Sequence, residues 1–251
     1  MPAPTSPPES ATDAAWRARE APKAQAESAA NVVRLRRTAK LAAILTFFVA
    51  IAAAAVTREV PRDRPQLLLS LEFADSAEEV RRLAPAAVRD AVIRAQWLDT
   101  ALLIPSYWAL FFVSGRTISR SGGERHRRLG RVVMVTICAA AAFDYAENAA
   151  IAAALADAGL VWGVPAVWAY GKWLLFYGTA VALGAVLCAA PARRFHGRLA
   201  GLLVGLAGAA GVTATLVSTP WVPAAIPGLF AGLVLLALLW LWDPEYLVRN
   251  V

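Results

Sequence analysis

The sequence predicts an all-α polytopic membrane bundle of six transmembrane helices with a short helical extracytoplasmic cap. Of its 251 residues, 59% are apolar and 17% are charged, whereas an ordinary soluble domain has roughly 45 to 50% and about 25%. Two cysteines within apolar runs and two histidines argue against a disulfide framework and a zinc site. We therefore expect a membrane protein with no metal and no cofactor.

The chain divides into a tail and a membrane domain. Residues 1 to 31 are rich in proline, alanine, serine and charge, which predicts a disordered cytoplasmic tail. Residues 32 to 251 form the predicted transmembrane domain, because its apolar stretches can cross a hydrocarbon core of ~30 Å at about 1.5 Å per residue. The six predicted spans are Ala39 to Val56, Leu98 to Ser114, Val132 to Leu155, Val164 to Ala189, Leu199 to Val217 and Ala224 to Trp242.

Residues 57 to 97 form the predicted cap. The apolar segment from Gln66 to Ala74 suits a position on the bilayer or on the bundle. Ser76 and Glu79 have the spacing of a capping box, which predicts a helix start. After Pro85, a second helical pattern runs into the second span.

Lysine and arginine counts predict the orientation. The connections on one side carry 17 of these cations and those on the other side carry seven. The positive-inside rule places both termini in the cytoplasm, and we expect a plasma-membrane location. The net charge of +7 then reflects topology and attraction to anionic lipid headgroups, and nucleic-acid binding is not expected. The arginines expected at the headgroups are Arg116, Arg120, Arg125, Arg127, Arg128, Arg193 and Arg194.

Four ionisable residues fall within the predicted spans, namely Asp99, Asp144, Glu147 and Lys172. An ionised side chain at the bilayer centre costs roughly 2.5 to 3.5 kcal/mol on insertion scales, so such groups normally face protein or a wet cavity. Offsets of three and four residues place Asp144, Glu147 and Asn148 on one helical face. We therefore expect one polar side on the third span.

Lys172 is the predicted counter-ion. It lies ~14 Å from the outer end of its span and Glu147 lies ~15 Å from the outer end of the preceding one. Since antiparallel spans joined by a short connection are neighbours, Lys172 should pair with Glu147 or Asp144. On the second span, Pro105 removes a backbone hydrogen bond, and the Tyr107 hydroxyl needs a partner that the acidic cluster can supply.

These motifs together resemble a family of small bacterial multi-pass membrane proteins without an assigned function. The resemblance covers residues 67 to 190, through EFADSAEEVRRL, QWLDTALLIPSYWAL, AFDYAENAAI and WAYGKWLLFYG. Its most specific part is Asp144-x-x-Glu147-Asn148 following Trp97-Leu98-Asp99. The resemblance implies a bacterial inner membrane and one arrangement of Asp99, Pro105, Tyr107, Asp144, Glu147, Asn148 and Lys172, and it implies no activity.

Three functions remain open from the sequence. In the leading interpretation the polar residues form a structural network that pairs helices and fixes their register. The alternative is a membrane-embedded binding or transport site for a small molecule, a lipid or a proton. A lipid-modifying enzyme that uses paired carboxylates ranks third, with no catalytic residue assigned. The candidate ligand or proton site consists of Asp99, Tyr107, Asp144, Glu147, Asn148 and Lys172.

Overall fold

The computed structural model describes residues 33, 37, 38, 40–121, 123–158, 163–189, 195–217, 222 and 224–242. The predicted tail of residues 1 to 31 lies outside these ranges, as do Arg193 and Arg194. Every regular element in the described residues is helical. The helices are α1 (Lys40–Glu59), α2 (Leu67–Glu72), α3 (Ala77–Leu83), α4 (Ala86–Leu98), α5 (Ile104–Ser121), α6 (Glu124–Leu155), α7 (Pro165–Ala189), α8 (Phe195–Val217) and α9 (Ile226–Trp242).

Five helical segments of the described chain are long and apolar enough to cross a membrane, so the protein is membrane-embedded. They are Lys40–Glu59, Ala86–Arg120, Glu124–Leu155, Pro165–Cys188 and Arg198–Val217. The sixth predicted span corresponds to a shorter apolar helix, Ile226–Leu238 within α9.

Two of these helices extend beyond their predicted ends. Helix α6 begins at Glu124 instead of Val132, and α5 continues to Ser121 instead of Ser114. The basic residues predicted in a connection therefore lie on helical extensions. Hydropathy detects only the part of a helix that is apolar, whereas charged residues with good helix propensity continue the same helix into water.

Successive helices from α5 to α9 pack against one another. The contact between α7 and α8 is closest where glycine meets glycine. A Cβ atom added to Gly184 would come within 2.5 Å of backbone atoms of Gly205. The run of glycines in the fifth span therefore forms a tight helix contact, as its spacing predicted.

The short helices α2 and α3 pack on the end of α6. Leu71, Val80 and Ile151 belong to one buried apolar cluster there. The predicted helix start is confirmed, because the backbone N–H of Glu79 donates to Oγ of Ser76 at 3.1 Å. Arg81 Nη1 donates to the carbonyl oxygen of Ala154 at 3.4 Å. These contacts fix α2, and with it Glu72, against the membrane helices.

A π-helical segment, Asp99–Leu103, joins α4 to α5 and makes one continuous helix, as the pattern after Pro85 predicted. Within it the N–H of Ile104 donates to the carbonyl of Asp99, five residues back. Pro105 follows immediately and has no N–H to donate. Such wider turns occur often at functional sites, and this one carries Asp99.

Candidate functional site

Helix α6 presents its polar side chains inside the bundle. Asp144 is 4% exposed, Glu147 is 1% exposed and Asn148 is 6% exposed. Their spacing of three and four residues places them on one face, as predicted. Lys172 on α7 is also buried, with 6% of its surface exposed. All four side chains are therefore shielded from both water and the acyl chains by the surrounding protein.

The ammonium of Lys172 contacts three carboxylates. Its Nζ lies 2.9 Å from Glu147 Oε2, 3.1 Å from Asp144 Oδ1 and 3.1 Å from Glu72 Oε2. The predicted pairing of Lys172 with the acids of α6 is thus confirmed. Nζ also donates a hydrogen bond to Glu147 Oε1 at 3.0 Å, so the positive charge of Lys172 is already paired with these acids.

Glu72 is the cluster residue that sequence reasoning missed. It lies on α2, outside the membrane-spanning helices, and its carboxylate accepts a hydrogen bond from Nε1 of Trp173 at 2.8 Å. Burial raises the pKa of Glu72, and the nearby Lys172 opposes that shift. The sequence feature that could have indicated Glu72 is its position, because it is the single charged residue of the apolar run from 67 to 73.

The second span contributes Tyr107 and Asp99. The Tyr107 hydroxyl donates to Asp144 Oδ2 at 2.7 Å, which is the partner predicted for it. Asp99 Oδ2 accepts from Nδ2 of Asn148 at 2.7 Å, and the same nitrogen lies 3.0 Å from Oγ1 of Thr100. Asp99 therefore belongs to the same polar interior, through Asn148.

Acidic groups outnumber basic groups in this cluster. Three carboxyl groups, from Glu72, Asp144 and Glu147, surround one ammonium, and the fourth, from Asp99, joins the cluster through Asn148. Within the described part of the chain, no lysine or arginine forms an ion pair with Asp99. Because unpaired buried charge is costly, the excess favours a neutralising proton or cation at the site.

The cluster forms one wall of a cavity of about 300 Å³ that is lined by residues of α1, α2, α4, α5, α6, α7 and α9. Its polar wall consists of Glu72, Gln96, Asp99, Tyr107, Asp144 and Lys172. The remaining walls are apolar and include Leu68, Leu69, Leu103, Phe111, Phe176 and Leu233. The cavity is therefore amphiphilic, with one charged end and a hydrocarbon-like body.

Gln96 is a second residue that the sequence did not single out. Its side-chain oxygen Oε1 is buried and accepts no hydrogen bond from any described residue. The residue lies on α4, one turn before Asp99, and lines the same cavity. An unsatisfied buried acceptor usually has an unseen partner, such as a water or a ligand.

Of the seven arginines expected at lipid headgroups, the structure describes five. Arg116, Arg120, Arg125, Arg127 and Arg128 are exposed at the ends of α5 and α6 that face away from α2 and α3. They lie apart from the cluster, so they do not neutralise its excess charge.

No set of histidine, cysteine, aspartate and glutamate side chains in the described ranges is arranged to hold a metal ion. The Lys172 ammonium occupies the centre of the carboxylates where a cation would otherwise lie. Comparisons with protein-family models, with curated proteins and with solved structures found no match to this chain.

Proposed function

We propose that this protein is a multi-pass plasma-membrane protein that binds an amphiphilic small molecule or lipid in its amphiphilic cavity. One observation carries the proposal, namely that the acid-rich cluster is the wall of a cavity whose other walls are apolar. Ligand sites are typically concave, mostly apolar and about 300 to 1,000 Å³ in volume, with a few convergent polar groups. The cavity has these properties.

The charge balance supports a binding site over pairing alone. A network that only joins helices needs one cation for each acid, or protonated acids. Here Lys172 serves three carboxylates, while Asp99 lines the cavity and forms no ion pair within the described residues. A ligand group at this end of the cavity would complete the network.

A structural role is the second candidate, and the contacts of Lys172 favour it. This one side chain joins α7 to α6 and to α2 through distances of about 3 Å. Interhelical polar contacts of this kind contribute about 0.6 to 2 kcal/mol each in membranes. The two roles are compatible, because a rigid polar wall also preorganises a site.

The proposed topology has six spans, with α9 as the last. At 1.5 Å per residue its 17 residues extend ~26 Å, which a locally thinned bilayer accommodates. Both termini are then cytoplasmic, and α2 and α3 form an extracytoplasmic cap over the cavity. The exposed arginines of α5 and α6 contact anionic headgroups on the cytoplasmic side. We also propose membership of the bacterial family that the sequence resembles.

The proposal is tested by filling the cavity. Ala53 on α1 lines it, and the neighbouring Ala54 is exposed on the outer surface of the same helix. Ala53→Phe places a ring in the cavity, and Ala54→Phe places the same ring toward lipid. Wild type and both variants are purified in native lipid discs, and their extracts are compared by mass spectrometry.

We expect a small molecule to be enriched with the wild type and with Ala54→Phe, and to be lost with Ala53→Phe. Equal extracts from folded samples of all three proteins would contradict the proposal. The thermal unfolding of each sample shows whether loss of the molecule reflects loss of the fold.

A further inference from the structure

We infer that the head group of the ligand is a protonated amine, held by Asp99 and Gln96 at the polar end of the cavity. This inference rests on the proposed binding function and names the chemical class of its ligand. Three observations support it: the ion pairs of Lys172, the free acceptors of the cavity wall and the apolar body of the cavity.

An anionic head group has no free cation to bind. The only ammonium among the residues named in the polar wall belongs to Lys172. Its Nζ already lies within 3.1 Å of Glu72, Asp144 and Glu147. A carboxylate or phosphate placed in the cavity would meet acidic side chains with no cation free to pair with it, and like charges in a low-dielectric site repel strongly.

Two acceptors outside the ion pairs of Lys172, on Asp99 and Gln96, are available to a cationic donor. Asp99 uses Oδ2 to accept from Asn148, and no other hydrogen bond to this carboxylate occurs in the described residues. Gln96 Oε1 is buried with no partner among the same residues. The two residues are three apart along one helix and line the same cavity. Their spacing allows one ammonium to donate to both of them.

A neutral head group would fit less well. A hydroxyl could satisfy Gln96, but it would bring no positive charge to Asp99, which forms no ion pair within the described residues. An ammonium supplies both the hydrogen and the positive charge, and hydrogen bonds between charged groups are roughly twice as strong as neutral ones. The cavity therefore selects an amine over an alcohol of the same chain length.

The rest of the ligand is apolar. Beyond the polar end, the walls are mostly aliphatic and aromatic side chains, including Leu69, Phe111 and Phe176. No acidic or basic residue other than those of the cluster is among the lining residues. This body suits an alkyl chain or a hydrocarbon ring, so the ligand class is a cationic amphiphile.

The test uses radiolabelled dodecylamine as the probe, with the full chain in discs of zwitterionic phosphatidylcholine. Unlabelled dodecylamine, dodecanol and dodecanoate compete with it, because they share a chain and differ in the head group. Asp99→Asn removes the negative charge at nearly constant shape, and Gln96→Leu removes the amide oxygen acceptor. Asp90→Asn is the matched control, since Asp90 is exposed on the same helix.

We expect saturable binding that dodecylamine displaces at a concentration at least tenfold lower than dodecanol does, while dodecanoate does not compete. Asp99→Asn and Gln96→Leu should each weaken binding, by roughly 10- to 100-fold for the aspartate, and Asp90→Asn should leave it unchanged. If the three compounds compete equally and Ala53→Phe loses binding, the inference of an amine head group is overturned. The proposal that the cavity is the binding site is then retained. Absence of saturable dodecylamine binding would also overturn the inference of an amine head group. The comparison of lipid-disc extracts would then test separately whether the cavity binds a ligand.

Discussion

Replacing Lys172 by methionine removes the only cation of the cluster at nearly constant side-chain length. Three carboxylates now within 3.1 Å of Nζ would lose their shared counter-ion. Because Lys172 is 6% exposed, bulk water reaches these acids poorly, and neutral water in the adjoining cavity cannot replace a positive charge. The acids must then take up protons or the helices must separate, and both cost folding free energy.

The size of the effect follows from these contacts. Removing one partner of a buried ion pair typically destabilises a protein by about 3 to 5 kcal/mol, since it leaves an uncompensated charge. Lys172→Met should fall in this range or above it, because three acids depend on one lysine. Adding Glu147→Gln should recover about 1 to 2 kcal/mol, since one fewer charge is then left without a partner.

Reversible unfolding in mixed micelles with increasing dodecyl sulfate measures these free energies. Lys40→Met is the matched control, because Lys40 is exposed at the start of α1. A loss in Lys172→Met no larger than that in the control would refute the reasoning. A double variant less stable than Lys172→Met alone would show that the Glu147 carboxylate is not one of the charges that Lys172 compensates.

Three further predictions concern packing, hydrogen bonding and pH. Gly184→Ala should destabilise the fold by about 1 to 3 kcal/mol, because the added Cβ would meet backbone atoms of α8. Gly178→Ala is the control on the same helix, where a Cβ has open space, and it should be neutral or slightly stabilising. Equal losses of stability for the two variants in an unfolding titration would contradict this prediction. Tyr107→Phe should cost about 1 to 3 kcal/mol in the same titration, since the carboxylate of Asp144 loses a donor, and no loss would show that the hydroxyl bond contributes nothing. Burial raises the pKa of Glu72 above its ordinary value of 4.5, so the contribution of this group to stability is fully present below pH 4.5 and is lost as the pH rises through the raised pKa. The wild type should therefore lose stability relative to Glu72→Gln between acidic and neutral pH. A gain in stability over the same range would contradict the raised pKa.

The membrane helices could be predicted because long apolar runs have few other uses in a protein. The pairing of Lys172 with the acids of α6 was also predictable, because depth along antiparallel neighbours fixes which side chains meet. Both arguments use local sequence and short connections. The ends of α5 and α6 were less predictable, because hydropathy does not detect the polar part of a helix.

Glu72 and Gln96 could not be placed in the same way. Glu72 belongs to a short helix whose position depends on packing with α6 and α7, which no single segment specifies. Gln96 lies just before the predicted second span, where a polar residue is ordinary. Its buried oxygen becomes unusual only when the surrounding helices enclose the cavity.

The contact between Glu147 and Lys172 spans 25 residues of sequence and has a consequence for biogenesis. As the chain is synthesised, α6 reaches the translocation machinery before α7 and carries two acids with no cation yet beside them. Each of these acids opposes partition into lipid. Their counter-charge arrives only with the next segment, so we expect α6 and α7 to enter the bilayer together as a helical hairpin.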